Sequence, residues 1–289
     1  MNTLHLLLAG STFGAAGESL VTGDVETVRE GFRFTEGPVW LPEGRLVFSD
    51  IPADTIYAAD GSVVRWPSGK SNGLTLDTEG RLVACEHGNR RVSRTERDGT
   101  VTTVADAYEG KRLNSPNDVV VRSDGTIIFT DPPYGLEGRP AELDVQGVYA
   151  ISPAGQIRLI ADDFTKPNGL TFSPDESVLY IADTEHSHIR AFDVAPDGTL
   201  SNARVFCEVE RPDGMKTDRD GRIWTTAADG MEVFAPDGAR LAALPFPQRP
   251  ANCAFGDDDG KTLYVTARTG LYRVRCASEG IRPATRVPE

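Results

Sequence analysis

The chain has 289 residues, with 43 acidic against 30 basic side chains and a formal net charge of −13 at pH 7. The sequence contains no block of Lys or Arg, so a nucleic-acid-binding surface is not predicted, and no apolar run is long enough to span a bilayer. Its four cysteines form no Cys-x-x-Cys pair and have no zinc-like spacing to His, which favours buried, reduced thiols.

The N-terminal segment, residues 1–17, contains a short apolar stretch without a preceding basic segment. This pattern favours a flexible leader or lead-in strand over a secretory signal, so we predict a cytoplasmic protein, with secretion left open as the alternative. The remainder, residues 18–289, is predicted to form a single domain.

Six related segments follow the leader, and each has a polar anchor residue, a short apolar run, an acidic or Gly-containing turn and a second apolar run. Successive anchors lie 36 to 51 residues apart, and a Gly follows eight residues after the anchor in four segments. Further short apolar runs complete the first five repeats, which predicts four strands per unit. The anchors are Glu36, Asn72, Asn117, Asn168, Asp213 and Asn252.

The last unit lacks an obvious fourth strand, whereas an unassigned strand-like segment at residues 25–30 precedes the first unit. We therefore predict an all-β fold, a six-bladed β-propeller in which the N-terminal strand closes the last blade and leaves no open edge.

The first strand of every propeller blade lines the central channel, so the six anchors are expected at one level around the axis. Every anchor carries a side-chain oxygen, and a hard divalent cation would offset the cost of burying them together. Turn formation is the alternative for any single anchor. The strongest predicted metal ligands are Glu36 and Asp213, followed by Asn117 and Asn168, with Asn72 and Asn252 lining the channel.

A second acidic set ends the second strands, at Asp50, Glu86, Asp131 and Asp183, and spacing alone does not place it relative to the channel. Asp131 also begins a long polar insertion in the third unit, which is interpreted as a lid. His87, directly after Glu86, is a candidate catalytic base, with a structural or surface role as the alternative.

Three motifs resemble the gluconolactonase/regucalcin (SMP-30-like) family, nearest its bacterial gluconolactonase branch: FTEGPVW, NSPNDVVVRSDGTIIFTDPPYG and KPNGLTFSPDESVLYIADT. The resemblance implies a six-bladed propeller that binds one divalent cation and hydrolyses sugar lactones. It places Glu36, Asn168 and Asp213 on the family's metal ligands and Asn117 on an Asn that contacts metal or substrate. Ser115 departs from the pattern, because animal members carry there an Arg that reaches the substrate.

The expected reaction is metal-dependent opening of a gluconolactone-type ring to the aldonic acid, with water deprotonated by Asp213 or His87. Ca²⁺ is the first choice of cation, with Mg²⁺, Mn²⁺ or Zn²⁺ as alternatives. The alternatives for function are a non-sugar lactone or phosphotriester hydrolase on the same site, or a non-catalytic ligand-binding propeller. The expected partner is a small lactone, with no nucleic acid, membrane or obligate protein partner. The predicted substrate contacts are Asn117, Ser115, Asp131 and Tyr134.

Overall fold

A computed structural model describes residues 19–283 and 285, and the predicted leader at 1–17 lies outside this part of the chain. The described residues form six four-stranded antiparallel sheets and one two-stranded hairpin. Within each of the first five sheets, four strands that follow one another along the chain pair in order, as the repeat spacing predicts. The predicted all-β six-bladed propeller is therefore confirmed.

The strands of the first three blades follow β1 (Glu26–Glu30). Blade 1 contains β2 (Thr35–Leu41), β3 (Arg45–Asp50), β4 (Thr55–Ala58) and β5 (Val63–Arg65). Blade 2 contains β6 (Ser71–Leu76), β7 (Leu82–Glu86), β8 (Arg91–Thr95) and β9 (Val101–Ala105). The hairpin β10 (Ala107–Tyr108) and β11 (Lys111–Arg112) leads to blade 3, with β12 (Val119–Val121), β13 (Ile127–Thr130), β14 (Val148–Ile151) and β15 (Ile157–Ala161).

The last three blades complete the ring. Blade 4 contains β16 (Pro167–Phe172), β17 (Val178–Asp183), β18 (His188–Val194) and β19 (Leu200–Glu208). Blade 5 contains β20 (Met215–Thr217), β21 (Ile223–Ala227), β22 (Gly230–Phe234) and β23 (Arg240–Leu244). Blade 6 adds β24 (Pro250–Gly256), β25 (Thr262–Ala267) and β26 (Gly270–Arg275). A 3₁₀ turn at Tyr134–Leu136 lies in the blade 3 insertion, and no helix in the described residues is long and apolar enough to cross a membrane.

The ring closes through the N-terminal strand, as predicted. β1 pairs antiparallel with β26 in the sheet order β1-β26-β25-β24, with Glu26 opposite Arg273 and Glu30 opposite Gly270. The last blade thus contains strands from both ends of the described chain, and β1 covers the edge of β26 that three strands alone would leave unpaired.

The hydrophobic core is divided among the blade interfaces. Six clusters of buried apolar residues lie between neighbouring blades, one at each interface of the ring. Trp224 of blade 5 meets Phe255 of blade 6 edge to face, and Trp40 of blade 1 stacks on Tyr264 of blade 6. Cutting a buried Phe such as Phe255 back to Ala costs about 3–5 kcal/mol.

Glycines let the inner strands approach one another at the channel. In four blades a Gly directly follows the anchor residue. A Cβ atom on Gly37 would lie 2.0 Å from the carbonyl oxygen of Asn72, and one on Gly169 would lie 2.1 Å from that of Asp213. A larger residue at these positions would push neighbouring blades apart, so the glycines bring the anchors together.

Candidate active site in the central channel

A cavity of about 270 Å³ opens on the channel, and five of the six anchors line it: Glu36, Asn72, Asn117, Asn168 and Asp213. His87 and Tyr134, which the sequence also singled out, lie in the same wall. Ser115 and Asp131 are fully buried and do not line it.

Three carboxylates lie close enough in the channel to influence one another: Glu36, Asp118 and Asp213. Glu36 is 3% exposed and accepts a hydrogen bond from its neighbour Gly37 N at 2.8 Å. Burial and the charge of Asp213 raise the pKa of Glu36 well above its usual range, whereas burial and the charge of Asp118 raise the pKa of Asp213 to about 7. In the described part of the chain none of these carboxylates has a Lys, Arg or His nitrogen within 4 Å.

The channel amides turn their nitrogens toward protein acceptors. Asn168 donates through Nδ2 to Thr184 Oγ1 at 2.9 Å, and Asn72 donates through Nδ2 to His87 Nε2 at 3.3 Å. The Oδ1 atoms of both asparagines are buried and have no hydrogen-bond partner in the described structure. Carboxylates with unpaired amide oxygens are the donor set that a hard divalent cation prefers, so the residues fit such an ion.

His87 lies beneath the blade 3 insertion and is 5% exposed. Burial lowers its pKa to about 4. Arg139 of the insertion donates to the carbonyl oxygens of His87 at 2.8 Å and of Gly88 at 2.7 Å, and Lys70 pairs with Glu137 at 2.7 Å. These bonds hold the blade 3 insertion against blade 2. Because its pKa is about 4, His87 is neutral at pH 7.

Ser115 and Asp131 hold the base of the same insertion. Ser115 Oγ donates to Pro132 O at 2.6 Å and accepts from Gly135 N at 2.9 Å. Asp131 Oδ2 accepts from Asn114 N at 2.7 Å, while its Oδ1 is buried without a partner among the described residues. These contacts position the loop that presents Tyr134 to the cavity.

The other acids at the ends of second strands are also engaged by the protein. Asp50 accepts from Arg33 N at 2.9 Å and Phe34 N at 3.1 Å, and Asp183 accepts from Thr165 N at 2.8 Å. These bonds fix the chain as it enters the first strand of the blade. Glu86 accepts from Asn89, Ser93, Arg65 and Arg91.

One group of three side chains near the cavity also has metal-ligand chemistry. Asp183, His186 and His188 place their ligand atoms within 4.8 Å of one another, the one such group of His, Cys, Asp or Glu among the described residues. His186 Nδ1 lies 2.9 Å from Asp183 Oδ2. His188 Nε2 is buried and has no hydrogen-bond partner among the described residues. This cluster extends from the last residue of β17 to the first residue of β18, beside Thr184 of the cavity wall.

Two features of the site escaped the sequence reasoning. Asp118, 3% exposed, occupies the position after the anchor where four other blades have Gly, and its Oδ2 lies 3.4 Å from Asn252 Nδ2. The replacement of Gly by Asp at this position is visible in the sequence and could have identified Asp118 as a channel residue. The second feature is a set of three arginines in the cavity wall, contributed by separate loops without a shared register: Arg211, Arg249 and Arg268.

The sequence and the structure of this chain are similar to those of known proteins. Residues 34–269 match the family described as SMP-30/Gluconolactonase/LRE-like region. The chain is 32% identical to a gluconolactonase of Zymomonas mobilis, with 90% of this chain and 83% of that protein covered. It is 30% identical to regucalcin of Oryctolagus cuniculus, with 88% and 87% covered. A solved structure of a Xanthomonas campestris gluconolactonase is 36% identical, with a TM-score of 0.85, and 91% of this chain and 94% of that chain are covered.

Proposed function

The chain belongs to the SMP-30/gluconolactonase family and is a lactonase, and we propose that it opens a sugar lactone of the gluconolactone type in a metal-dependent reaction. Water adds to the ester carbonyl carbon, the bond from that carbon to the ring oxygen breaks, and the ring oxygen leaves as a hydroxyl group. The product is the open-chain aldonic acid.

The observation that supports metal dependence best is the set of buried and half-buried channel carboxylates that, among the described residues, have no cationic partner within 4 Å and lie near the equally unpaired Oδ1 of Asn168. Glu36, Asn168 and Asp213 would hold the cation, with Asn117 as a fourth ligand or substrate contact. When bound, a divalent cation would polarise the lactone carbonyl and stabilise the charge that develops on its oxygen. The hard oxygen donors favour Ca²⁺, with Mg²⁺, Mn²⁺ and Zn²⁺ as alternatives.

We assign removal of the water proton to Asp213 in preference to His87. A general base works best when its pKa lies near the operating pH. Burial lowers the pKa of His87 to about 4, which makes its imidazole a weak base at neutral pH, whereas Asp213 lines the same cavity as a carboxylate without a cationic partner within 4 Å among the described residues. His87 instead accepts a hydrogen bond from Asn72 and so orients that amide.

Asn117 and Tyr134 are the proposed substrate contacts, because both line the cavity. Ser115 and Asp131 act through the loop that carries Tyr134, and their predicted direct contact with substrate stays untested. Ser115 is shorter than the Arg expected from the animal proteins and is bonded inward, which leaves substrate recognition to other residues of the wall.

The test is hydrolysis of glucono-1,5-lactone after chelation and after re-addition of Ca²⁺, Mg²⁺, Mn²⁺ or Zn²⁺, with bound metal measured by mass spectrometry. We expect activity to disappear on chelation, to return with at least one cation, and to be lost with the metal in Asp213→Ala. His186→Gln is the matched control, because it disables the cluster of Asp183, His186 and His188 and leaves the channel intact. Metal content that follows His186 would overturn the channel assignment.

The same assay separates the other candidates. Metal-dependent hydrolysis of non-sugar lactones or phosphotriesters alone would keep the site and replace the substrate. A protein without metal or turnover would fit a ligand-binding propeller.

A cytoplasmic location remains a prediction.

A further inference from the structure

Three arginines line the cavity from the loop before blade 5, the loop before blade 6 and the β25–β26 turn: Arg211, Arg249 and Arg268. Arg211 lies two residues before Asp213, Arg249 lies directly before β24, and Arg268 directly follows β25. We call these three residues the arginine rim. They bring three positive charges to the same wall in a protein whose net charge is −13.

No carboxylate among the described residues lies within 4 Å of a rim guanidinium. Arg249 Nη2 donates instead to the carbonyl oxygen of Arg211 at 3.3 Å, and the guanidinium carbon of Arg268 lies 5.4 Å from the centre of the Phe34 ring. Elsewhere arginines such as Arg190 and Arg275 pair closely with aspartates.

The rim charges also repel one another. The pKa of Arg249 is lowered by burial and by the charges of Arg211 and Arg268, even though Asp213 opposes the shift. A bound anion would offset this repulsion, most of all at Arg249, which is half-buried, whereas Arg211 and Arg268 are exposed. Three channel carboxylates would be largely neutralised by one divalent cation, which leaves the rim charges for another partner.

We propose, resting on the lactonase function above, that the substrate is an anionic sugar lactone whose carboxylate or phosphate group, distant from the ester carbonyl, is held by the arginine rim. Guanidinium groups bind both anions through charge-assisted, often bidentate, hydrogen bonds. The cavity of about 270 Å³ lies just below the usual range for ligand sites, roughly 300–1,000 Å³, and suits a single substituted sugar ring.

The test compares kcat/KM for three lactones that differ only at carbon 6: glucono-1,5-lactone, its 6-phosphate and its 6-carboxylate. With saturating metal we expect one charged lactone to exceed the neutral one by about tenfold or more, about 1.4 kcal/mol, because a hydrogen bond to a charged group is stronger than one between neutral groups. The better anion identifies the substituent. In Arg249→Gln the preference should fall by about tenfold, mainly through KM, whereas Arg97→Gln, an exposed arginine outside the cavity, should preserve it.

The outcomes separate this proposal from the proposed function. A preference below tenfold, or one that Arg249→Gln leaves intact, overturns the rim assignment even where neutral lactone is hydrolysed. If no lactone is opened with any cation, the lactonase function is wrong. Calorimetric binding of 6-phosphogluconate, glucarate and gluconate then tests separately whether the arginine rim binds an anionic group. Tighter binding of either doubly substituted acid than of gluconate, lost in Arg249→Gln, supports an anion site, and equal binding overturns it.

Discussion

Two acidic layers of the propeller carry similar sequence signals and differ in their partners. The channel anchors Glu36 and Asp213 lie buried or half-buried beside another carboxylate, without a cation within 4 Å in the described structure. The strand-end acids, Asp50, Glu86, Asp131 and Asp183, accept hydrogen bonds from backbone N–H groups or from side chains. A buried carboxylate whose charge is met by several donors of the protein stabilises the fold, whereas one that lies beside other carboxylates without a nearby cation indicates a ligand.

The largest expected effect tests the channel layer. Asp213→Asn should lower kcat/KM by about 10²–10⁴-fold, the range that a positioned general base contributes. In the metal-free protein the same change should leave the melting temperature unchanged or raise it, because it removes one charge from a cluster of carboxylates. Rates with saturating metal and thermal unfolding in chelator measure the two effects. Wild-type rates, or a clear loss of metal-free stability, would place Asp213 in the structural layer.

The opposite result is expected at Asp50. Asp50→Ala leaves the backbone N–H groups of Arg33 and Phe34 without their acceptor and should lower the free energy of unfolding by about 3 kcal/mol. Asp50→Asn retains one acceptor oxygen and should lose less. Activity per folded molecule should stay within a few-fold of wild type. Denaturant unfolding gives the stability, and an unchanged midpoint in Asp50→Ala would contradict the proposed role.

Asp131 is intermediate between the layers, because one of its oxygens lacks a partner among the described residues and burial raises its pKa to about 7. The folded protein then holds a proton that the unfolded chain has released above about pH 4, so stability falls as pH rises from about 4 to 7. Relative to Asp131→Asn, which does not titrate, wild type should lose on the order of 3 kcal/mol across that window.

Asp183 provides the control of opposite sign for this pH experiment. Burial would raise its pKa, but donation from Thr165 N and from the imidazole of His186 leaves the pKa lowered. Its contribution is present above the ordinary Asp pKa and is lost as pH falls further. Relative to Asp183→Asn, wild type should therefore lose stability toward acid. Parallel pH profiles for the two pairs would contradict the assigned pKa shifts.

The repeats made the propeller predictable, because four strands per unit and a fixed anchor register are local properties of the sequence. The same register predicted that Glu36, Asn168 and Asp213 would meet in one wall. It could not separate Asp213 from Asp131, since the approach of a backbone N–H to a carboxylate depends on the folded loops. The arginine rim also escaped prediction, because Arg211, Arg249 and Arg268 lie in irregular connections outside the repeat register.

The smallest expected effect concerns Ser115, which links the strand-end layer to the cavity through the loop that carries Tyr134. Ser115→Ala removes the donor to Pro132 O and the acceptor for Gly135 N, so we expect a loss of about 1–2 kcal/mol in unfolding free energy. The Gly135 amide should exchange faster with solvent, and KM should rise a few-fold with little change in kcat. Ser201→Ala, at an exposed site on blade 4, is the control. Unchanged Gly135 exchange together with a large loss of kcat would instead place the Ser115 hydroxyl in direct contact with the substrate.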